Sequence, residues 1–123
     1  MYREVPHTAD VAYEITFFNN SELFNDLADI IRSESVGDFL NEIREEVYKL
    51  SGDLMDDVFD IANEMIYMAD RGWVPEKAFV SGGKVRIVYR KTNIKSFKFK
   101  AMTYHMSLRE KENKKILKVV FDI

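Results

Sequence analysis

Residues 53–90 read DLMDDVFDIANEMIYMADRGWVPEKAFVSGGKVRIVYR, and this stretch contains the change of pattern that decides the fold. Over its first half, apolar residues recur at the 3.6-residue period of a helix, which Gly72 would end as a C-cap glycine. From Lys77 onward the period is two, and Gly82-Gly83 joins two alternating runs, a pattern typical of a β-hairpin. The stretch therefore predicts an acidic helix over 53–70 followed by an antiparallel pair of strands.

The sequence before this stretch predicts a strand and a capped helix. Apolar and polar residues alternate over 10–18, as in a half-buried strand. Asn19 and Glu22 have the spacing of a capping box, so a helix is expected to begin there. Residues 36–44 have apolar residues at helical spacing and favour a helix or turns, whereas 45–50 favour a strand.

Further strands are predicted over 97–109 and 116–121, with a polar hairpin tip at 110–115. The order of elements is then strand, helix, an ambiguous segment, helix and about four strands. This order predicts an α+β fold, with two main helices on one face of a mostly antiparallel sheet in a two-layer arrangement. A chain of 123 residues fits one domain spanning 1–123.

Composition narrows the class of protein further. The chain has no cysteine, which excludes disulfides and thiolate metal sites, and its 13% aromatic content argues against disorder. No signal peptide or membrane-spanning segment is recognisable, so we expect a cytoplasmic protein with no membrane partner. Residues 1–76 carry 5 Lys and Arg against 18 Asp and Glu, whereas 77–123 carry 13 against 3. We expect a polarised surface, acidic on the helices and basic around the sheet.

Two acidic positions near the chain ends are candidate ligands for a hard cation. Asp10 follows His7 at the start of the first predicted strand, where a simple strand-entry turn is the alternative interpretation. Asp122 and the Ile123 carboxylate offer two acidic groups together, unless this end is frayed. If the last strand lies beside the first, these groups form an oxygen cluster that suits Ca²⁺ or Mg²⁺.

Three other features have ordinary structural explanations. Lys100 and His105, in the run KAMTYH, are expected to be surface or packing residues rather than catalysts. The aspartates of the acidic helix favour a solvated face, with a surface metal as the alternative. The basic, aromatic C-terminal half could bind RNA, but it has neither a Gly-rich phosphate loop nor the aromatic signature of a common RNA-binding sheet.

Five stretches in order along the chain resemble the archease family. They are HTADV at 7–11, ELF at 22–24, the pair DL at 53–54 with NEMIY at 63–67, KAMTYH at 100–105 and FDI at 121–123. The resemblance implies a two-layer α/β fold and the role of an activator of an RtcB-type RNA ligase in tRNA splicing and RNA repair. In that role the protein is not itself an enzyme. It promotes guanylylation of the ligase, which uses GTP, and allows multiple turnover.

The resemblance also implies roles for particular residues. Asp10, Asp122 and Ile123 match the family's ligands for a divalent cation (Ca²⁺, Mg²⁺ or Mn²⁺). Lys100 matches a lysine implicated in activation of the ligase, and His7 belongs to the same N-terminal motif. RNA would then be reached indirectly, through the ligase. Two alternatives stay open, namely a small RNA-binding or chaperone-like module, and a metal-dependent hydrolase that uses Asp10 and Asp122 with His7 or His105.

Overall fold

The computed structural model of the chain describes residues 1–6 and 10–123. The helices and strands, in chain order, are β1 (Tyr2–Val5), β2 (Val11–Phe17), α1 (Asn20–Ser33), β3 (Ser35–Lys49), α2 (Leu54–Asp70), β4 (Trp73–Ser81), β5 (Lys84–Phe97), β6 (Ala101–Met102), β7 (Ser107–Lys111) and β8 (Lys114–Asp122). The strands form two antiparallel sheets together with two helices. This is the predicted α+β class, although the strands are divided between two sheets.

The five-stranded sheet brings together the two ends of the sequence. Its order is β1–β2–β8–β6, and β7 also pairs with β8. The three-stranded sheet has the order β3–β5–β4, and the β4–β5 connection is the predicted Gly82-Gly83 turn. Both glycines have positive φ angles, 59° and 74°, which L-amino acids with side chains adopt at a steric cost.

Both helices begin at a capping side chain, and the cap of α1 is the predicted one. The Asn19 side chain accepts a hydrogen bond from the Glu22 N–H, and the Glu22 side chain accepts one from the Asn19 N–H. The Asp53 side chain caps α2 by accepting from the Asp56 N–H at 3.0 Å. Gly72 follows α2 with a φ of 89°, as expected for a C-cap glycine.

Helix α1 lies along the outer edge of β4 and satisfies the backbone groups of that edge. The Asn25 side chain accepts from the Ala78 N–H, and the Ser21 hydroxyl accepts from the Val80 N–H, both at 3.0 Å. Arg32 of the same helix donates to the carbonyl oxygen of Pro75 on β4. A sheet edge with unpaired backbone groups would otherwise be open to pairing with another chain, so these side chains close one edge of the three-stranded sheet.

The core is one continuous cluster that contains residues of both helices and both sheets. Its largest fully buried side chains include Phe24 and Leu27 of α1, Met65 of α2, Phe121 of β8 and Tyr89 of β5. The Phe99 and Phe121 rings stack with their centroids 4.2 Å apart. Elements distant in sequence are therefore held together by shared apolar burial, the main stabilising contribution in folding.

Two expectations about secondary structure need correction, and one strand was missed. The helix or turns predicted over 36–44 were wrong, because this segment belongs to the long strand β3, whereas the strand predicted over 45–50 was right. The strand predicted over 97–109 is instead the end of β5 followed by the short strands β6 and β7. Strand β1 was not predicted at all, since four residues are too few to establish a period.

The expected surface polarity holds for some elements and not for others. Strand β5 carries five Lys and Arg and no acidic residue, and α2 carries acidic residues and no basic one. Strand β3, however, contains four acidic residues and two basic ones, so the sheets are not uniformly basic. In the part of the chain that the structure describes, no helix is long and apolar enough to cross a membrane.

Candidate metal and partner-activation site

Asp10 and Asp122 lie next to each other at one end of the five-stranded sheet. Strands β2 and β8 pair in the register Val11↔Phe121, and Asp10 and Asp122 are the next residues beyond that pair on each strand. Continued by one step, this register sets the two aspartates opposite each other, and opposing residues of an antiparallel pair have Cα atoms about 4.5–5.5 Å apart. Asp10 is half-buried and Asp122 is exposed. Two carboxylates that are 112 positions apart in the sequence are thus neighbours in space.

Lys100 and Ile123 adjoin the same end of the sheet. Strand β6 pairs with β8 as Ala101↔Asp122, and the Lys100 N–H donates to the Asp122 carbonyl oxygen at 2.8 Å. The next step of this register sets Lys100 opposite Ile123. All four of these residues, from three different parts of the chain, therefore meet at one corner of the molecule.

The Lys100 side chain is exposed and lines a depression of about 410 Å³ beside the C-terminal half of α2. Tyr67, Asp70, Arg71 and Phe97 also line this depression. Among the described residues, Lys100 forms no ion pair. Its ammonium group is therefore available to an anionic group of a partner or ligand that approaches this corner.

Asn63 of α2 holds the segment that carries Lys100. Its side-chain oxygen accepts a hydrogen bond from the Met102 N–H at 2.8 Å, and its side-chain nitrogen donates to the Met102 carbonyl oxygen at 3.3 Å. The same nitrogen donates to the Phe59 carbonyl oxygen at 3.0 Å. The amide thus pairs with the backbone of β6 as a neighbouring strand would, and it fixes β6 against the helix.

A second contact with α2 fixes the segment after β6. The Tyr104 hydroxyl donates to the Asp56 carboxylate, and the Tyr104 ring packs on Phe59 with centroids 5.1 Å apart. The hydrogen bond to Asp56 raises the pKa of Tyr104 to about 12, because the bond favours the protonated phenol. On the other side, the Thr103 hydroxyl donates to the Val120 carbonyl oxygen.

The sequence interpretation missed the positioning roles of Asn63, Asp56 and Tyr104. All three lie in stretches that the sequence analysis singled out, namely the acidic helix and the KAMTYH run. No sequence pattern, however, indicates which residues of the helix contact that run.

The acidic helix is also more than a solvated face. Asp57 is buried and accepts hydrogen bonds from the Ser51 N–H and hydroxyl and from the Gly52 N–H. The Asp57 carboxylate therefore serves to hold the turn before α2.

The described residues do not assemble a complete metal site from side chains. Within residues 1–6 and 10–123, no group of three His, Cys, Asp or Glu side chains could hold a metal ion. His105 is exposed, and its N–H donates to the Thr103 hydroxyl at 3.3 Å. The suggested role of His7 lies outside the described residues. The ligand assignments to Asp10, Asp122 and Ile123 stay predictions.

The fold and this corner define an α+β protein whose first and last long strands bring two aspartates together beside a lysine. The model of the Archease protein family (MTH1598/TM1083) matches residues 2–123, and the chain therefore belongs to this family. Protein archease of Thermotoga maritima is 32% identical over 124 residues, an alignment that covers 99% of each chain.

Solved structures agree with this assignment. A crystal structure of an archease from Thermotoga maritima, described as a possible chaperone, superposes with a TM-score of 0.83 at 30% identity and covers 100% of this chain and 98% of that one. The solution structure of protein 1598 from Methanobacterium thermoautotrophicum has a TM-score of 0.65 at 14% identity, covering 99% and 98%. The second likeness supports the fold alone.

Proposed function

We propose that this protein activates an RtcB-type, GTP-dependent RNA ligase in tRNA splicing and RNA repair by promoting guanylylation of the ligase. The observation that carries the proposal is the meeting of Asp10, Asp122 and Lys100 at one exposed corner of a chain that belongs to the archease family. The protein would act as an accessory factor in the cytoplasm, with the ligase as its partner and RNA reached through the ligase.

The donor set at this corner fits a hard divalent cation. The two aspartate side chains and the Ile123 carboxylate offer only oxygen atoms, which Ca²⁺, Mg²⁺ and Mn²⁺ prefer. When bound, such an ion would supply positive charge that stabilises negative charge on phosphate oxygens. Asp122 is exposed and Asp10 half-buried, so an approaching partner can reach both carboxylates. At this corner, the described residues offer no more than these three carboxylates, which leaves room for oxygen ligands from the partner.

Lys100 would contribute a second positive charge at the same corner. Guanylylation develops negative charge on phosphate oxygens, and a nearby ammonium group stabilises that charge. Lys100 has an exposed side chain, while Asn63 fixes the adjacent backbone against α2. Because the backbone near it is fixed, the ammonium group needs less reorganisation when the partner's reaction reaches its transition state. The role of His7 rests on the family resemblance alone.

The experiment is a guanylylation assay of the ligase from the same organism, with GTP, with and without this protein. We expect Asp10→Asn and Asp122→Asn to abolish most of the stimulation, because each removes one negative charge while keeping the size of the side chain. Asp60→Asn is the matched control, since Asp60 is an exposed aspartate on α2 and not on the paired strands β2 and β8. For the lysine, Lys100→Met is compared with Lys98→Met, at an exposed lysine two residues away.

Each outcome bears on the proposal. Loss of stimulation in the Asp10, Asp122 and Lys100 variants, with unchanged circular dichroism and normal controls, would support it. Full stimulation by both aspartate variants would contradict the metal assignment. Wild-type protein that fails to stimulate the ligase at any ratio would contradict the proposed function itself.

A chaperone-like role is the second candidate, since the crystallised relative from Thermotoga maritima is described as a possible chaperone. The exposed apolar residues of β3 are the structural feature that favours it. An aggregation assay on an unrelated, thermally unfolding protein separates the two functions, because a chaperone would suppress aggregation in the absence of the ligase. The hydrolase alternative, which uses Asp10 and Asp122 with His7 or His105, would require turnover of a substrate by this protein in the absence of the ligase.

A further inference from the structure

The outer face of the three-stranded sheet exposes a set of apolar side chains. In the regular part of the sheet, one cross-strand row contains Val47, Arg86 and Phe79, and the next contains Glu45, Val88 and Lys77. The opposite face of β5 contributes fully buried Val85, Ile87 and Tyr89 to the core. We call this surface the outer face. It is formed by Phe39, Ile43, Glu45, Val47, Lys77, Phe79, Arg86 and Val88.

The apolar side chains of the outer face are more exposed to solvent than is usual for apolar residues. Val47 is 58% exposed, Ile43 56% and Phe39 50%, and all three lie on β3. Phe79 on β4 is 41% exposed. A monomer rarely leaves such a patch in contact with water, so the patch points to an interaction surface.

The chemistry of the outer face favours a protein partner over RNA. Platforms for single-stranded nucleic acid present aromatic rings to successive bases, but here Ile43, Val47 and Val88 are aliphatic. The Arg86 guanidinium lies 5.2 Å from the centroid of the Phe79 ring and partly covers it. Glu45 adds a negative charge in the middle of the face, which would repel a phosphate backbone.

The same chemistry is self-complementary. A surface that covers this one must bring apolar side chains for β3 and β4, a carboxylate for Lys77 and a cation for Glu45. The outer face itself supplies each of these groups. If two copies pack face to face around an axis parallel to β5, then β3 of one copy lies over β4 of the other. Val47 then meets Phe79 of the second copy, and Glu45 meets Lys77 of the second copy.

We propose that two copies of this chain associate through the outer face as an isologous dimer, with its two-fold axis along β5. Both sides of such an interface are the same patch, so each complementary pair occurs twice. Two sheets that pack in this way are rotated by about 30° because each sheet is twisted. Depressions of about 420 Å³, beside Phe39 and Arg90, and about 310 Å³, beside Val47 and Phe79, offer space for side chains of the second copy.

The size of the face predicts the strength of the dimer. Three strands about 4.8 Å apart, with some nine residues of about 3.3 Å each, project to about 430 Å² per subunit. This area belongs to the small, weakly associating class of interfaces rather than to obligate dimers. We therefore expect a dissociation constant in the micromolar range, between about 1 µM and about 500 µM.

Sedimentation velocity of the full chain, from about 5 µM to about 500 µM, tests the proposal over the relevant range. We expect the weight-average mass to rise with concentration from that of a monomer toward that of a dimer. Val47→Lys should weaken the association at least about tenfold, because it places two lysines in an apolar contact. Leu108→Lys is the matched control, since Leu108 is an exposed apolar residue on β7.

A charge swap tests the relative orientation of the two copies. Glu45→Lys and Lys77→Glu should each weaken the dimer, because each places two like charges in contact. The double variant should restore the dimer, because positions 45 and 77 of the two copies then carry opposite charges again. Recovery of the dimer in the double variant would show that the single variants act through this contact and not through a change in the net charge of the protein. All variants change exposed side chains, and circular dichroism checks that they are folded.

The outcomes separate the possible occupants of the face. A constant monomer mass over the whole range, or a double variant as weak as the single ones, would overturn the proposal. Binding of a fluorescent single-stranded RNA that Val47→Lys abolishes, without self-association, would assign the face to nucleic acid instead. Suppression of aggregation by the monomer, lost in Val47→Lys, would assign the face to unfolded chains.

Discussion

Replacement of Asn63 by alanine should loosen the segment that carries Lys100. The Asn63 amide makes three hydrogen bonds, two with the backbone of Met102 and one with the Phe59 carbonyl oxygen. Alanine keeps the helical backbone of α2, because it has the highest helix propensity of all residues. The perturbation is therefore confined to the contact between α2 and β6.

The magnitude follows from the burial of Met102. Met102 is only 2% exposed, so water would not readily replace the lost partner of its N–H group. A buried donor left without a partner costs about 1–3 kcal/mol, and each further neutral hydrogen bond contributes about 0.5–1.5 kcal/mol. We expect Asn63→Ala to lower the free energy of unfolding by about 2–3 kcal/mol.

Urea denaturation measures this change in stability. With a slope of about 1–3 kcal/mol per molar urea, the midpoint should fall by about 0.7–3 M. Amide hydrogen exchange supplies a local measurement, because the Met102 N–H should lose protection more than amides in the centre of β8. Asn41→Ala is the matched control, since Asn41 is an exposed asparagine on β3.

Stimulation of the ligase is the third measurement on the same variant. Under conditions where Asn63→Ala is fully folded, the proposed function predicts weaker stimulation, because Lys100 is no longer held in place. A loss of stability below about 0.5 kcal/mol, with normal protection of the Met102 amide, would refute the argument that Asn63 holds β6.

Three further predictions concern other contacts in the structure. Asp56→Asn should lower the pKa of Tyr104 from about 12 toward its ordinary value, as absorbance titration of the phenol would show against Tyr104→Phe. Arg90 holds the pKa of Glu76 below its ordinary value, so the pair stabilises the fold at neutral pH and the contribution is lost as the pH falls through the lowered pKa. Glu76→Gln should therefore cost less than about 1 kcal/mol at pH 7 and nothing in acid, as urea denaturation at both pH values would show. Gly37→Ala should cost at least about 2 kcal/mol in urea denaturation, because its Cβ would collide with a backbone carbonyl of β5.

The parts of the fold that were predicted correctly depend on local chemistry. The Asn19–Glu22 capping box and the Gly82-Gly83 turn need only neighbouring residues, and the structure has both. Strand β3 was misread over 36–44 because its apolar residues happen to lie at helical spacing. In the structure, several of them face solvent rather than a core. The periodicity argument assumes that apolar residues are buried, and that assumption fails on an uncovered sheet face.

The candidate site was predictable only in part, for a related reason. Asp10 and Asp122 become neighbours through a strand pairing between opposite ends of the sequence, which no local pattern encodes. The resemblance to a family supplied that pairing, and the register of β2 and β8 accounts for it physically. The contact of Asn63 with Met102 depends on how α2 packs against β6, and no local pattern predicts that packing.

The candidate site and the outer face belong to different sheets, and this separation makes the two proposals independent. Asp10 and Asp122 lie at the end of the five-stranded sheet, whereas Val47 lies on the three-stranded one. We expect Asp122→Asn to abolish stimulation of the ligase and leave self-association unchanged. Val47→Lys should weaken self-association and leave stimulation unchanged when stimulation is measured at concentrations where the wild-type protein is monomeric. If Val47→Lys also abolished stimulation at those concentrations, the outer face would have to be a surface that contacts the ligase. Measurement of both properties on both variants therefore decides which surface serves which partner.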